Sequence, residues 1–181
     1  MREYAIDPSR VYVAGLSAGG AAAAIMGDVY SDLYAAIGVH SGLACGVAHD
    51  MPSAFAAMKQ GGAGCVTGPI AVPVIVFHGD RDTTVNPRNG DAVAALATRD
   101  PTLRSQTAEG RTPGGHFWRR TLHFDARGRT VVEQWLIHGA GHAWSGGSPA
   151  GSFTDPHGPD ASREMLRFFL EHPRCFTDMA D

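Results

Sequence analysis

The sequence predicts an α/β fold in one domain (1-181): a mainly parallel sheet with helices on both faces. Three observations carry this. Short β-branched runs alternate with helical stretches from Val11 almost to the end, the order of stacked βαβ units. Val72-Pro73-Val74-Ile75-Val76-Phe77 is apolar without alternation, as expected of a strand buried on both faces of a parallel sheet. And Val11-Tyr12-Val13-Ala14 runs through Gly15-Leu16-Ser17-Ala18-Gly19 into an alanine-rich stretch, a strand–turn–helix junction.

The elements follow in order. Arg2–Ile6 reads as the tail of a helix stopped by Asp7-Pro8. Val11–Ala14 is a strand, and Ala18 to about Val29 a helix whose small residues let it pack close on a sheet. Ala35–Val39 is the next strand, and Ser53–Lys59 a short helix broken by Gly61-Gly62-Ala63-Gly64. After the apolar run, Asn89–Thr98 is helical. Thr107–Trp118, with two adjacent glycines and a proline, is expected to be a loop over the cleft or plain surface chain. Residues 117–124 and 130–137 alternate around Asp125-Ala126-Arg127-Gly128-Arg129, a hairpin signal. Asp160 caps a last helix, Ala161–Leu170, with Met165, Leu166, Phe168 and Phe169 as its buried stripe.

At 44% hydrophobic the chain can bury roughly 70% of its unfolded surface. Its 15 basic and 18 acidic residues, net −3 without long runs, argue against a nucleic-acid partner. No apolar stretch is long enough to span a membrane. Met1-Arg2-Glu3-Tyr4-Ala5 has no signal-peptide core, which fits a cytosolic protein or one whose signal lies further upstream. Cys45, Cys65 and Cys175 are an odd number outside any CxxC pair. That leaves one bridge plus one thiol, or three thiols, and argues against redox or structural zinc chemistry.

The junction at Ser17 is a nucleophile-elbow pattern. The turn must be tight for the serine hydroxyl to stand clear of the backbone, so positions two before and two after it are expected to be small. The Ala18 N–H, opening the helix, then points where an oxyanion forms. With 23 glycines in the chain, such spacing also arises by chance, and the flanking strand and helix are what single it out. A serine needs a base, and the base an acid to fix its tautomer. In such sheets these groups lie outside the carboxyl ends of the strands. Gly79-Asp80-Arg81-Asp82 offers two carboxylates. Asp82 is preferred as the acid, with Asp80 left to a turn hydrogen bond or to Arg81. His142, in Gly139-Ala140-Gly141-His142-Ala143-Trp144 after the final strand, is the preferred base. His138, four residues earlier, sits at a strand end with two glycines between the pair, so a zinc pair is not expected. His40 and His78 are expected to satisfy loop backbone or line the cleft rim; His49, His116, His123, His157 and His172 read as surface or turn residues. The chain order Ser17, Asp82, His142 is that of α/β-hydrolases.

Ser9-Arg10-Val11-Tyr12-Val13-Ala14-Gly15-Leu16-Ser17-Ala18-Gly19-Gly20, His40-Ser41-Gly42, Val76-Phe77-His78-Gly79 with Asp82 and Val85-Asn86-Pro87, Gly141-His142-Ala143-Trp144-Ser145-Gly146-Gly147, Thr154-Asp155-Pro156 and Gly158-Pro159-Asp160 together resemble the polyhydroxybutyrate depolymerase-like esterases, which include feruloyl and acetylxylan esterases. The resemblance implies an α/β-hydrolase fold and a serine esterase acting on short-chain, hydroxyacyl, polyester or feruloyl-type esters. Ser17 would be the nucleophile, Asp82 the acid and His142 the base, with no metal or organic cofactor. Trp144 would be a wall of the substrate pocket and His40 a further substrate contact. A peptidase or acyltransferase on the same scaffold, or a non-catalytic fragment acting as a binding module, are the rival readings.

In the family, further strands precede the elbow, and one upstream loop supplies a second oxyanion donor. Only ten residues precede Val11 here, so the chain looks truncated at its N-terminus, with His40 or Ser41 as local substitutes for that donor. Strand 11–14 would then be a bared apolar edge. Such an edge favours a homo-oligomer paired through it, or a separate N-terminal chain. If the chain has an upstream piece, the resemblance implies a secreted protein.

Overall fold

The computed structural model describes residues 4–62 and 72–174. A six-stranded sheet has the order β1-β2-β3-β6-β5-β4, with β1 Tyr12–Leu16, β2 Ala36–His40, β3 Val74–Gly79, β4 Arg104–Arg111, β5 Phe117–Phe124 and β6 Thr130–His138. β1, β2, β3 and β6 pair in parallel, while β4 and β5 join antiparallel beyond β6. The carboxyl ends of four strands, at residues 16, 40, 79 and 138, therefore share one rim. β1 lies at the sheet edge.

Strand alternation sends side chains to two cores. Ile37, Val39, Val74, Val76 and Val132 pack with helices α1 (Ala18–Val29) and α3 (Arg88–Ala97) on one face. Ala36, Ile75, Phe77 and Ile137 pack on the other with Met165, Phe168 and Phe169 of α4 (Ala161–Leu170). Helix α2 (Met51–Gln60) starts two residues before the expected Ser53. Asp50 caps it, accepting the Ser53 N–H at 2.8 Å. A two-stranded ribbon, β7 (Trp144–Ser145) and β8 (Thr154–Asp155), carries the chain from β6 toward α4.

Three expectations are corrected. Leu166, expected in the buried stripe of α4, is 57% exposed, because the buried face is the one shared by Met165, Phe168 and Phe169. Residues 4–6 hold no helix; Asp7 instead opens a 3-10 turn, Pro8–Arg10, by accepting the Ser9 N–H at 2.9 Å. Proline at a first helical position starts a turn as readily as it stops a helix. The loop expected over 107–118 is mostly β4 paired to β5, leaving Thr112–His116 as the turn. β4 is exposed along almost its whole length, so no inward face imposes the alternation by which strands are recognised.

One buried charge fastens α4 to the sheet. Glu133 on β6 is 1% exposed. Arg167 Nη2 donates to both its carboxylate oxygens at 2.7 Å, and the Trp135 indole N–H donates at 2.8 Å. Burial works against the Arg167 charge, but the hydrogen bonds to Glu133 and Glu164 prevail and raise its pKa above the ordinary range. Removing the arginine leaves a buried carboxylate short of partners. Arg167→Met is therefore expected to lower stability by on the order of 3 kcal/mol, and Arg167→Met with Glu133→Leu to recover most of it. Urea midpoints at constant m-value measure both; a single variant as stable as the parent refutes the assignment.

Candidate active site

Ser17 stands between β1 and α1 with φ 57° and ψ −118°, a conformation L-residues rarely adopt. Its N–H donates to His40 O at 2.9 Å. The turn closes by backbone meeting backbone. A Cβ on Gly15 would lie 2.3 Å from Gly19 C, one on Gly20 2.9 Å from Gly15 O, and one on Gly42 2.7 Å from Gly20 C. Gly19 itself has open space where a Cβ would stand. The small residue required after the serine is thus Gly20, one position beyond that expected. Ala18 opens α1, in the first turn, where N–H groups have no intrahelical acceptor.

Asp82 follows β3, its side chain fully buried. Oδ1 accepts the N–H groups of Thr84 and Val85 at 2.9 and 2.8 Å. Oδ2 lies 2.7 Å from His142 Nδ1 and 3.4 Å from His78 Nε2. Burial pushes the Asp82 carboxyl up, but the hydrogen bonds from His78, His142 and Val85 outweigh it and hold the group well below the usual carboxylate range. A carboxylate facing Nδ1 assigns the proton to Nδ1 and leaves the Nε2 lone pair free. His78 Nε2 also lies 2.9 Å from Val85 O; its N–H is therefore shared between that carbonyl and the carboxylate.

Backbone contacts lock the loops carrying Asp82 and His142 together. A Cβ on Gly79 would lie 2.3 Å from Ala140 O. The N–H groups of Asp80 and Arg81 donate to Ile137 O and Ala140 O, each at 3.0 Å. Asp80 pairs neither with Arg81 nor within its own turn: it accepts the Gly139 N–H at 2.7 Å and meets His138 Nδ1 at 2.8 Å. The far side of the Asp82 loop is held by Asn89, whose amide donates to Ala57 O and Asn86 O, and by Asn86, which donates to Lys59 O.

The structure thus joins Asp82 to His142 and sets Ser17 on the same rim. The Ser17 hydroxyl makes no hydrogen bond among the described residues; catalytic hydrogen bonds of unliganded sites often tighten only with substrate. His40, expected to contact substrate, lies beneath the rim, 1% exposed. Its ring stacks between Phe77 and Trp144, Nε2 accepts the Ser145 N–H at 3.0 Å, and Nδ1 lies 3.1 Å from Ser41 Oγ. His40 and buried Ser41 are thereby engaged with each other rather than aimed at an oxyanion. Trp144 is half-buried, its indole N–H donating to Ser162 Oγ at 3.0 Å.

Further histidines are not loose surface groups. His172 is buried, its ring nitrogens facing Phe168 O and Thr130 O. His116 meets Asp155 Oδ2 at 2.8 Å. Thr130 lies 42 residues from His172 and Asp155 39 from His116, and the nearer partner of His172 is a backbone carbonyl, so neither pairing has a local side-chain signal. Among the described residues no cluster of three or more His, Cys, Asp or Glu is arranged to hold a metal, and no helix is long and apolar enough to cross a membrane. Cys45 is a free thiol; Cys65 and Cys175 lie outside the described residues.

Beside Ser17 and Ala18 opens a cavity of about 370 Å³, walled by Ile25, Leu43, Met58 and Val85 among others. A cleft of about 450 Å³ between α2 and α3, near Gly61 and Leu96, contains none of these groups.

The layered sheet with an elbow at the end of β1 is an α/β-hydrolase fold. It superposes on an acetyl xylan esterase from Aspergillus awamori with a TM-score of 0.63, at 18% identity over 94% of this chain and 62% of that one. A PHB depolymerase complexed with an R3HB trimer superposes at 0.58, with 19% identity over 91% and 52%. Residues 1–112 match the family Esterase PHB depolymerase, and the chain belongs to that family. It is 31% identical to poly(3-hydroxyalkanoate) depolymerase C of Paucimonas lemoignei over 77% of its own length and 36% of the relative's. It is 29% identical to poly(3-hydroxybutyrate) depolymerase of Ralstonia pickettii over 81% and 32%. The chain thus spans about a third of the length of these relatives.

His40 gives the site a pH signature. Burial, then the nearby His78 and His142, depress its pKa from 6.5 to about 3. Below pH 6.5 the unfolded chain takes up a proton that the folded state refuses. Stability from this group is therefore complete above pH 6.5 and lost as pH falls toward 3, at about 1.4 kcal/mol per pH unit. Between pH 6.5 and 4.5, the urea midpoint of His40→Gln is expected to fall less steeply than the parent's; equal slopes would contradict the burial of a neutral imidazole.

Proposed function

We propose that the chain is a serine carboxylester hydrolase in which Ser17, His142 and Asp82 act as a triad. The observation that carries this reading is the 2.7 Å contact from Asp82 Oδ2 to His142 Nδ1, on the rim where Ser17 is held in its elbow. Ser17 Oγ attacks the ester carbonyl while His142 Nε2 takes its proton. The Ala18 N–H receives the developing oxyanion. Collapse expels the alcohol, which leaves with the proton from His142, and an acyl-serine remains. Water then adds to the acyl carbon, giving its proton to His142, and the acid departs as Ser17 recovers that proton. Asp82 keeps its charge throughout and stabilises the imidazolium. Because the relatives are named as poly(3-hydroxyalkanoate) and poly(3-hydroxybutyrate) depolymerases, short-chain and hydroxyacyl esters are the substrates to test first.

Hydrolysis of p-nitrophenyl butyrate, with fluorophosphonate labelling as a second readout, tests the assignment. Ser17→Ala is expected to abolish both. Asp82→Asn presents an amide N–H to Nδ1, favours the wrong tautomer, and is expected to lower kcat by about 10⁴. Retention of turnover and labelling by Ser17→Ala would refute the reading.

A further inference from the structure

The cavity beside Ser17 has a composition that selects among esters. Residues 18, 21, 22 and 25 of α1, spaced as one helix face, form one wall, and Ala54 and Met58 of α2 another. Leu43, Ala44, Gly46, Ala48 and Val85 complete it, and among the described residues Ser17 contributes its sole polar side chain. No residue of the 140–145 segment, where His142 and Trp144 lie, lines it.

That asymmetry orients the substrate. The alcohol oxygen must leave next to His142, because His142 returns the proton. The space reached from Ser17 and Ala18 without the 140–145 segment therefore receives the other half of the ester. From this, and resting on the ester-hydrolase reading, we infer that the α1–α2 cavity is an acyl pocket for a linear aliphatic chain reaching medium length, with Ala22 and Ala54 setting how much chain fits. At about 30 Å³ for a water-sized group, its 370 Å³ holds on the order of ten methylenes. A phenol or amine carried into it would lose its hydration and find, among the described residues, no side-chain partner beyond Ser17. Alanine at residues 21, 22, 44, 48 and 54 keeps the space open.

The experiment measures kcat/KM for p-nitrophenyl esters from acetyl to tetradecanoyl, with methyl ferulate beside them. The inference expects kcat/KM to rise up to about fourfold per added methylene, a plateau at a chain of about ten carbons, and weak turnover of ferulate. In Ala22→Leu and Ala54→Leu the ratio of octanoyl to acetyl kcat/KM should fall at least tenfold. A flat or falling chain-length profile, or an unmoved ratio in both variants, overturns the pocket. A second readout is independent of turnover: calorimetric titration of octanoate and butyrate into Ser17→Ala. Tighter octanoate binding that Ala54→Leu weakens supports the pocket even if no ester is cleaved, an outcome in which the hydrolase reading alone fails. Equal binding of both acids overturns the pocket even if acetyl esters are cleaved well.

Discussion

The bare-backbone contact among β1, α1 and the end of β2 is the constraint on which the candidate site depends. Gly15, Gly20 and Gly42 meet where side chains would stand 2.3 to 2.9 Å from backbone atoms. α1 can approach β1 and β2 only because these positions carry nothing. The close approach produces the unusual Ser17 dihedrals, since the chain must reverse from strand to helix without room for a longer turn. It also buries Ala23 and Ala24 completely, so the helix is seated by methyl groups. The small-residue bias then serves both sides of the helix: inside it permits contact with the sheet, and outside it leaves the cavity beside Ser17 open.

The second requirement is that a loop after β3 and a loop after β6 arrive in register. Direct pairing of these strands as neighbours does most of this. The remainder comes from polar backbone contacts at Gly79, Asp80 and Arg81, which bind the two loops before either functional side chain takes part. Asp82 uses its two oxygens differently. Oδ1 is committed to loop amides, which fixes the carboxylate plane, and Oδ2 is left to the imidazoles. His40 supports the rim as an uncharged stacked ring. Its low pKa keeps an additional positive charge away from the one on which the proposed mechanism relies.

Most of the fold was legible because it is written in local patterns: the apolar run of β3, Gly15 before the elbow serine, the Asp160 cap and, apart from Leu166, the stripe of α4. The candidate groups Ser17, Asp82 and His142 were legible for a topological reason, since each follows a parallel strand and such strands end on one rim. What escaped the sequence lacks a local signature. β4 is exposed and polar, so only its partner β5 defines it. The pairings His138–Asp80 and His116–Asp155 join residues 58 and 39 apart, and His172 looked like a surface residue because its two carbonyl partners carry no side-chain signal. His40 was expected either to satisfy loop backbone or to line the cleft; it does the first, accepting the Ser145 N–H, and the stacking of Phe77 and Trp144 around it places it beneath the rim.

The two sides of the proposed reaction are supported by opposite faces of the sheet. The cavity proposed for the acyl chain is lined by α1, α2 and residues 43–48, and α1 and this segment reach the core holding Ile37 and Val74 through Ala24 and Ala44. Trp144 and the β7–β8 ribbon belong to the other face, tied to it by Trp144 to Ser162 and by Ser145 Oγ to Pro159 O at 2.6 Å. Ser17 sits where the sheet ends between them. Changes to the α1 and α2 alanines would therefore act on one half of an ester and changes around the ribbon on the other, because the sheet itself separates the two sets of contacts. This separation follows from an ordinary property of parallel sheets: consecutive side chains alternate faces until the strand ends, and beyond that end groups from both faces can meet.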